Sequence, residues 1–265
     1  MTFQTEIFRK ELRTQWLGAD FIYRDTVGST NTVLKTLPDR ELTHGTVLLA
    51  DSQTGGRGQN QRHWESEPGK NLTFTIAFKP AHADRLPLLT LSTAWSVRQA
   101  LARHCPGEYT VKWPNDLMLE GRKIGGILTE CLFNGQRLNR ALVGIGVNVG
   151  QTTFSPDVAD SATSLALHLD QTPGREILLA DILLAVEDGY RKWHHYDAAF
   201  LKQVNRSLIG YGEWVGLSVN GKRLKEQVKF LGINEKSQLV IVTSDLEIKT
   251  YSYEQVRIFR DDSAG

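Results

Sequence analysis

The chain has 265 residues, of which 40% are hydrophobic and 23% are charged, and its formal net charge is +1 at pH 7. This composition is that of an ordinary globular protein, long enough for one large domain or for one large and one small domain. The near-zero net charge excludes a whole-chain attraction to nucleic acid or to an anionic membrane surface, so any anion site must be local.

The cysteines and the first residues bear on the compartment. Cys105 and Cys131 form neither a CxxC pair nor a metal-ligand spacing, so we expect reduced, inert thiols in a reducing compartment. The beginning of the sequence, MTFQTEIFRKELR, lacks the basic-then-apolar layout of a signal peptide. No uncharged run approaches the roughly 18 residues that a membrane-spanning helix needs. The sequence therefore predicts a cytoplasmic protein.

The N-terminal extension, residues 1–19, places apolar residues at helical spacing and predicts a short amphipathic helix. It is too short for a DNA-reading helix-turn-helix domain, which needs two packed helices, so we expect no DNA partner. A strand starts at Phe21, and the tetrapeptide GSTN, residues 28–31, leads into a predicted helix over 32–37. The polar groups of GSTN either cap this helix or face a neutral polar ligand, and capping is the commoner role.

A glycine-rich basic segment, QTGGRGQNQRHW at residues 53–64, follows an apolar run at 46–50 and precedes an alternating run at 71–78. It is therefore predicted to be a loop between two strands. Its glycines allow backbone N–H groups to approach a ligand closely, and its arginines suit a carboxylate or a phosphate. Trp64 adds a flat aromatic face. By itself the segment is equally well interpreted as a mobile hairpin loop with solvated arginines.

The next constellation is VKWPNDLMLEGRKIGGILTE, residues 111–130, which follows a long core helix predicted over 83–105. It is interpreted as a strand, a tight turn, a second strand, a hairpin turn at Glu120-Gly121 and a third strand containing two glycines. Glycine inside a strand often marks the close approach of a ligand. Each charge in this segment could be a solvated turn charge, but together they favour a ligand-facing strand edge.

The remaining elements complete the predicted architecture. Residues 140–150 supply another buried strand, helices are predicted over 164–169 and 176–200, and short strands begin near 213. The dipeptide Asn220-Gly221 is a strong hairpin signal. The predicted fold class is α+β, with a mixed, mostly antiparallel sheet and packed helices. The predicted boundaries are 1–19, 20–212 and 213–265, the last of these being a small barrel-like β domain.

Four segments together resemble the biotin protein ligases: GSTN at 28–31, QTGGRGQNQRHW at 53–64, KWPNDLMLEGRKIGGIL at 112–128 and GIGVN at 144–148. The resemblance runs from about residue 21 to residue 259. It implies a class II synthetase-like catalytic domain followed by an SH3-like C-terminal domain. Members that also repress transcription carry an N-terminal DNA-binding domain, so this chain is similar to the short, ligase-only type.

The resemblance also implies the activity. Such enzymes convert biotin and ATP to biotinyl-5′-AMP and pyrophosphate, and Mg²⁺ accompanies the phosphates. They then transfer biotin to one lysine of a biotin carboxyl carrier protein or domain, as in acetyl-CoA carboxylase. We expect no metal site built from protein side chains, and exposed strand edges allow a homodimer.

Site residues are carried over from the same motifs. The catalytic residues are expected to be Lys123, Arg57 and Asp116, with Lys112 as a further cation. The residues expected to bind biotin are Ser29, Thr30, Asn31, Gln53, Gly56, Arg57, Gly58, Gln59, Lys123 and Gly126. The residues expected to bind ATP or the adenylate are Arg62, Trp64, Lys112, Asn115, Asp116 and Asn148.

The loop departs from the family pattern GRGRxGR at two positions. Gln59 stands at the second arginine and Gln61 at the later glycine. Gln59 can form hydrogen bonds but carries no charge, which predicts a weaker electrostatic hold on the acyl-phosphate. Gln61 argues against a loop geometry that needs a positive φ at that position.

Three other functions remain open at this point. A lipoate-type ligase would use the same adenylation with a more apolar acid, whereas the polar residues 29–31 and Gln53 favour a ureido ring. A non-catalytic biotin-binding module would be expected to lack Lys123. An RNA- or single-stranded-DNA-binding β domain would need a basic groove studded with aromatic residues, which the net charge disfavours.

Overall fold

The structure, a computed structural model, describes residues 2–59, 62–80, 82–252 and 255–259. Within these ranges, the first strands form a seven-stranded sheet in the order β1-β2-β3-β7-β6-β5-β4. Strands β1 and β2 are parallel, and the other neighbours in this sheet are antiparallel. The strands are β1 (Phe21–Val27), β2 (Thr46–Gln53), β3 (Leu72–Phe78), β4 (Tyr109–Lys112), β5 (Asp116–Leu119), β6 (Arg122–Asn134) and β7 (Arg137–Val147).

Helices cover the sheet from both sides. The main hydrophobic core includes residues of α3 and α4, and a smaller apolar cluster joins Leu34 of α2 to the sheet residues Leu48, Ala77 and Leu142. Helices α3 and α4 lie very close together, since a Cβ added at Gly189 would be 2.0 Å from Ser96 Oγ. The helices are α1 (Thr5–Glu11), α2 (Thr30–Thr36), α3 (Leu86–His104), α4 (Arg175–His194) and α5 (Ala198–Arg206).

The N-terminal extension packs against this layer. Phe3, Phe8 and Leu17 are buried in the main core. The Glu187 carboxylate of α4 accepts hydrogen bonds from the backbone N–H groups of residues 15–17, at 2.9 to 3.0 Å. Three donors on one carboxylate fasten the extension to α4. The domain boundaries proposed from the sequence stay predictions.

Two helix predictions need correction. The helix predicted over 176–200 is wrong as a single element: α4 ends at His194, Tyr196 adopts φ 55°, and the Asp197 side chain accepts hydrogen bonds from the N–H groups of Ala199 and Phe200 to begin α5. The apolar periodicity of the sequence continues across this break, but the left-handed residue Tyr196 and the N-cap Asp197 end one helix and begin the next. The helix predicted over 164–169 is only a 3-10 turn, Leu165–Leu167.

The predicted cap at GSTN is also wrong in detail. Helix α2 begins at Thr30 with Ser29 in the N-cap position, and the Ser29 side chain makes no capping hydrogen bond. Thr30 and Asn31 are buried on this helix. Their side chains therefore serve contacts other than the helix end.

The C-terminal strands form a curled antiparallel sheet, which confirms the α+β class with a small β unit at the end. Asn220 (φ 49°) and Gly221 (φ 78°) form the predicted hairpin turn. The Asn205 amide of α5 pairs with both backbone groups of Ile233: Nδ2 donates to its carbonyl at 3.1 Å and Oδ1 accepts from its N–H at 2.8 Å. The strands are β8 (Trp214–Val219), β9 (Lys222–Arg223), β10 (Val228–Ile233), β11 (Leu239–Val242), β12 (Ile248–Tyr251) and β13 (Val256–Phe259).

Candidate active site

A cavity of about 470 Å³ lies beside α2, above strands β6 and β7 and below the glycine-rich segment. It brings together residues from Ser29 near the start of the chain to Arg257 near its end. Of the residues singled out from the sequence, those that line it are Ser29, Thr30, Asn31, Gln53, Arg57, Gly58, Gln59, Arg62, Trp64, Lys112, Asn115, Asp116, Lys123 and Gly126.

The glycine-rich segment folds back on itself over this cavity. Its first part stays bound to the strand layer, since Gly55 N–H donates to Gly28 O at 2.8 Å. The returning part pairs with it through Gly58 N–H to Arg62 O at 2.7 Å and Trp64 N–H to Gly56 O at 3.0 Å. The described parts of the segment therefore pair with each other as two adjacent arms. Gln61, whose replacement of the family glycine was noted above, lies outside the described residues.

The floor of the cavity is a chain of buried polar side chains. Gln53 Oε1 accepts from the Thr30 N–H at 2.8 Å. Thr75 Oγ1 lies 2.8 Å from Thr30 Oγ1 and 2.6 Å from Asn31 Oδ1. Asn31 Nδ2 donates to Glu130 Oε2 at 2.7 Å. Such a floor offers both donors and acceptors to a neutral polar ring.

The charged side of the cavity centres on Lys123. Its Nζ lies 2.6 Å from Asp116 Oδ1, beside Gly126, where an added Cβ would be 3.6 Å from Nζ. The backbone of Lys123 is fixed as well, because its N–H donates to Ser161 O at 2.7 Å. Lys112 contributes a second, exposed cation to the lining.

Asn115 has a structural contact in addition to its place in the lining. It lies in the turn after the cis peptide bond Trp113–Pro114, and its Nδ2 donates to Ile127 O at 2.7 Å. The Ile127 N–H in turn donates to Asn115 O at 3.0 Å. These bonds fix the turn between β4 and β5 to the glycine strand β6.

Trp64 forms a wall of the cavity. Its indole lies against Gly146 of β7, where an added Cβ would be 2.5 Å from ring atoms Cε2 and Cζ2. Lys123 Nζ lies 5.6 Å from the ring centroid. The indole Nε1 is buried and has no hydrogen-bond partner within the described part of the chain. The indole N–H is therefore a buried donor without an acceptor among the described protein atoms.

Two of the expected site residues do not line the cavity. Gly56 is buried beneath Trp64, where a Cβ would be 2.8 Å from Trp64 O. Asn148 is buried, and its Nδ2 donates to Thr163 O at 3.0 Å while its own N–H donates to Ile124 O. Both residues support the cavity wall from behind.

Sequence reasoning missed several lining or supporting residues. Glu130 lies just after the third motif, and Thr75 and Gly144 contact Asn31 from neighbouring strands. The motif GIGVN contained the signal for Gly144 and Gly146, whereas no local signal marked Thr75. Arg257 of β13 also lines the cavity, so the C-terminal sheet contributes to it.

The two thiols and the side chains that could bind a metal ion point to neither a reactive thiolate nor a metal centre among the described residues. Cys105 is buried and Cys131 half-buried, and burial raises the pKa of the Cys131 thiol above its ordinary value, which disfavours a thiolate. Across the described residues, no group of three or more histidine, cysteine, aspartate or glutamate side chains could hold a metal ion. No helix among these residues is long and apolar enough to cross a bilayer.

Comparison with known proteins agrees with the resemblance that the four motifs carry. Residues 23–148 match the biotin/lipoate A/B protein ligase family. The bifunctional ligase/repressor BirA of Bacillus subtilis is 31% identical over 246 residues, which cover 91% of this chain and 75% of that protein. The biotin–[acetyl-CoA-carboxylase] ligase of Mycobacterium tuberculosis is 28% identical over 225 residues, covering 80% of this chain and 81% of that protein.

A solved structure gives the same result for the fold. The biotin protein ligase from Aquifex aeolicus in complex with biotin and ATP superposes with a TM-score of 0.79 at 28% identity, covering 92% of this chain and 100% of that chain. All four motifs described above lie within the family match at residues 23–148.

Proposed function

The chain belongs to the biotin/lipoate A/B protein ligase family, and we propose how this biotin protein ligase uses its cavity to join biotin to a carrier protein. The enzyme activates biotin with ATP as biotinyl-5′-AMP and transfers the biotinyl group to a lysine of the carrier. We further propose that this carrier is the biotin carboxyl carrier protein or domain of an acetyl-CoA carboxylase.

The first step needs charge neutralisation more than proton transfer. Biotin's carboxylate is already a nucleophile, and it must approach the α-phosphorus of another anion. Lys123 Nζ is the cation we assign to this encounter, and Asp116 at 2.6 Å holds it in place. Arg57 and Lys112, which line the same cavity, supply additional positive charge.

We assign the polar floor to the ureido ring of biotin. Ser29, Thr30, Asn31 and Gln53 provide hydroxyl and amide groups there. The loop residues Arg57, Gly58 and Gln59, together with Gly126 on β6, close the biotin half of the cavity, and Gly56 supports its wall from behind. A neutral ring that carries both N–H donors and a carbonyl acceptor fits such a mixed surface better than an apolar dithiolane does.

We assign the opposite half to the nucleotide. Arg62, Trp64, Lys112, Asn115 and Asp116 line it, and Asn148 supports its wall through Thr163. We propose that Mg²⁺ accompanies the ATP phosphates in this half, as the family resemblance implies. In the second step, the amine of the carrier's lysine attacks the acyl carbon of the mixed anhydride, the acyl C–O bond breaks and AMP leaves, and we assign to Asp116 the proton that the amine loses.

Three further assignments belong to this proposal. Two isolated cysteines favour a reducing compartment, for which we propose the cytoplasm. The outer edge of β6 beyond its pairing with β5 offers backbone groups for a homodimer contact. The third, the absence of a DNA partner, stays a prediction made from the sequence.

The single observation that carries the proposal is that polar residues of three separate motifs line one cavity with Lys123 at its charged side. The test is biotin-dependent pyrophosphate release from ATP, measured beside lipoate and octanoate. We expect release with biotin alone, and its loss in Lys123→Ala. The matched control, Lys222→Ala, removes an exposed lysine of β9 and should behave as wild type.

Each of the other outcomes would either support a different function or contradict the role assigned to Lys123. Release with lipoate in place of biotin would move the chain to the lipoate-type ligases. Tight biotin binding without release would leave a non-catalytic binding module. Undiminished release in Lys123→Ala would contradict the role assigned to that lysine. Binding to RNA that weakens steeply between two salt concentrations would support a nucleic-acid function instead.

A further inference from the structure

We propose that Glu65 is a positioning residue for ATP, because its carboxylate holds the first residue of the segment 155–162 against the returning arm of the glycine-rich segment. This inference rests on the proposed function, since it concerns the nucleotide half of the same cavity. Glu65 directly follows Trp64 in the chain and is half-buried. It is not one of the residues that line the cavity, so its effect on ATP must pass through the segment that it holds.

The first step is what the Glu65 carboxylate contacts. The Ser155 N–H donates to both of its oxygens, at 3.2 Å to Oε1 and at 3.4 Å to Oε2. Gln151 Nε2 donates to Oε1 at 3.3 Å. A carboxylate only accepts hydrogen bonds, and both partners are donors. The carboxylate therefore joins the arm that carries Trp64 to the backbone of the segment 155–162.

The second step is the buried base that fixes the Gln151 amide. Gln151 Oε1 accepts from the Glu67 N–H at 3.0 Å and from Asn71 Nδ2 at 2.6 Å. A backbone N–H only donates, so the amide oxygen must be on that side, and Nε2 must face Glu65 and, at 2.9 Å, Thr153 O. Gln151 and Asn71 are only 1% and 2% exposed. The Glu65 carboxylate is thus held from a buried polar base.

The third step follows the segment 155–162 towards the charged side of the cavity. Ser155 O accepts from the Val158 N–H at 3.0 Å, and Val158 O accepts from the Ser161 N–H at 3.0 Å. Ser161 O in turn accepts from the Lys123 N–H at 2.7 Å. A continuous series of backbone hydrogen bonds therefore leads from the residue that the carboxylate holds to the lysine assigned to the chemistry.

The fourth step is what the nucleotide meets. Val158 and Ser161 line the same cavity as Trp64. Val158 is apolar yet 37% exposed, and an exposed apolar side chain in the lining suits the face of a purine base. The segment 155–162 and the indole therefore form two walls of the nucleotide half, and Glu65 is the group that joins them. Loss of its carboxylate leaves these walls free to separate, whereas the polar floor beside α2 keeps its contacts.

The test measures ATP KM, biotin KM and kcat in pyrophosphate release for Glu65→Ala. We expect ATP KM to rise about tenfold, the loss typical of a hydrogen bond to a charged group, and biotin KM and kcat to stay within about twofold. The sign is informative, because removal of a negative charge near a triphosphate would by charge alone lower ATP KM. The matched control, Glu67→Ala, removes the same charge from an exposed side chain of the same arm and should leave ATP KM within twofold.

Two conservative variants separate the reach of the side chain from its charge. Glu65→Gln keeps an oxygen at the position of Oε1, which accepts from both Ser155 and Gln151, so ATP KM should stay within about threefold of wild type. Glu65→Asp keeps the charge, but its side chain is shorter by one carbon–carbon bond of about 1.5 Å. Its oxygens then lie beyond hydrogen-bond reach of Ser155, and ATP KM should rise as it does in Glu65→Ala.

A second readout does not depend on catalysis. Hydrogen exchange followed by mass spectrometry should become about tenfold faster in peptides that cover 155–162 in Glu65→Ala, because the amides of this segment lose the contact that holds its first residue. Exchange in peptides that cover 30–36 should be unchanged. Unchanged exchange at 155–162 would overturn the inference.

The outcomes separate this inference from the proposed function. Wild-type protein that releases no pyrophosphate with biotin would contradict the proposed function itself, whatever the exchange measurements show. With an active wild type, an unchanged or lower ATP KM in Glu65→Ala would overturn the positioning role. Equal increases in ATP KM and biotin KM, or a fall in kcat alone, would also overturn it, because a general loss of structure would explain them. Wild-type behaviour of Glu65→Asp would show that charge rather than position matters, and would overturn it too.

Discussion

Gly146 of β7 lies under the indole of Trp64, and Gly146→Ala tests whether this contact shapes the cavity. The added Cβ would be 2.5 Å from Cε2 and Cζ2 and 2.9 Å from Nε1, against 3.4 to 4 Å for an ordinary contact. The φ of Gly146 is not in the left-handed region, so alanine brings steric overlap without backbone strain. The indole must therefore move by about 1 Å, the difference between these distances.

This displacement gives the expected magnitude. Overpacking of this kind typically costs about 1–3 kcal/mol, which corresponds to about 5- to 150-fold in an equilibrium constant. Trp64 is on a loop and can move, so we expect the cost to appear mainly in substrate binding rather than in the free energy of unfolding. Because Trp64 is assigned to the nucleotide half of the cavity, ATP KM should rise about tenfold or more, with a melting temperature within a few degrees of wild type.

The assay is pyrophosphate release against ATP concentration, with thermal unfolding in parallel. The matched control is Gly174→Ala, where the new Cβ would meet only Glu176 Oε2 at an ordinary 3.5 Å. A second background, Trp64→Phe, removes the ring atoms that would overlap. In that background Gly146→Ala should cost distinctly less, because the two changes share one contact.

Two results would refute this reasoning. ATP KM within twofold of wild type in Gly146→Ala would mean that the indole does not limit the nucleotide half of the cavity. An equal effect of Gly146→Ala in the wild-type and the Trp64→Phe backgrounds would mean that the overlap with the indole is not the cause.

Three other predictions follow from separate contacts. Gln59→Arg adds charge to the cavity lining and should slow the loss of biotinyl-5′-AMP to solvent; unchanged or faster release would contradict this. Gly189→Ala places a Cβ 2.0 Å from Ser96 Oγ and should lower the free energy of unfolding by about 1–3 kcal/mol, largely recovered by Ser96→Ala; denaturant titration measures both. Burial, and then the charge of His194, lower the pKa of His44, so its contribution to stability is present above its unfolded pKa of about 6.5 and is lost as the pH falls. His44→Gln should therefore flatten the decline in melting temperature below that pH. An equally steep decline in the variant would contradict this prediction.

Local signals in the sequence were sufficient for several parts of the fold. Turn chemistry at Glu120-Gly121 and Asn220-Gly221 predicts hairpins, and both have the positive φ values that such turns need. The alternating run at 71–78 is strand β3 apart from its first residue. These features depend on neighbouring residues, so sequence reasoning has access to their causes.

The helix boundary at Tyr196 shows where periodicity misleads. Trp193 and Phe200 are both buried and belong to one core, so the apolar spacing continues across the break. The stop depends on a single left-handed residue and on the capping carboxylate of Asp197. A signal of one residue is weaker than a pattern over twenty.

The cavity floor could not be derived from any one motif. Asn31 contacts Thr75 and Glu130 from 44 and 99 positions away along the chain. Neither partner has a sequence context that marks it as polar lining: Thr75 is one of two threonines in strand β3, and Glu130 lies two residues after the third motif. Only the register of β3, β7 and β6 brings these side chains together.

The pairing of Asn205 with Ile233 has a consequence for modularity. A side-chain amide there replaces one rung of a strand ladder, and Gly232, at φ 99°, would place a Cβ 2.6 Å from Asn205 Oδ1. A fragment that begins at residue 213 would lack Asn205. The N–H and C=O of Ile233 would lose this partner, and the apolar groups around them would be exposed to water. The C-terminal sheet is thus a dependent unit: it can be transplanted between related enzymes only together with the helix that precedes it.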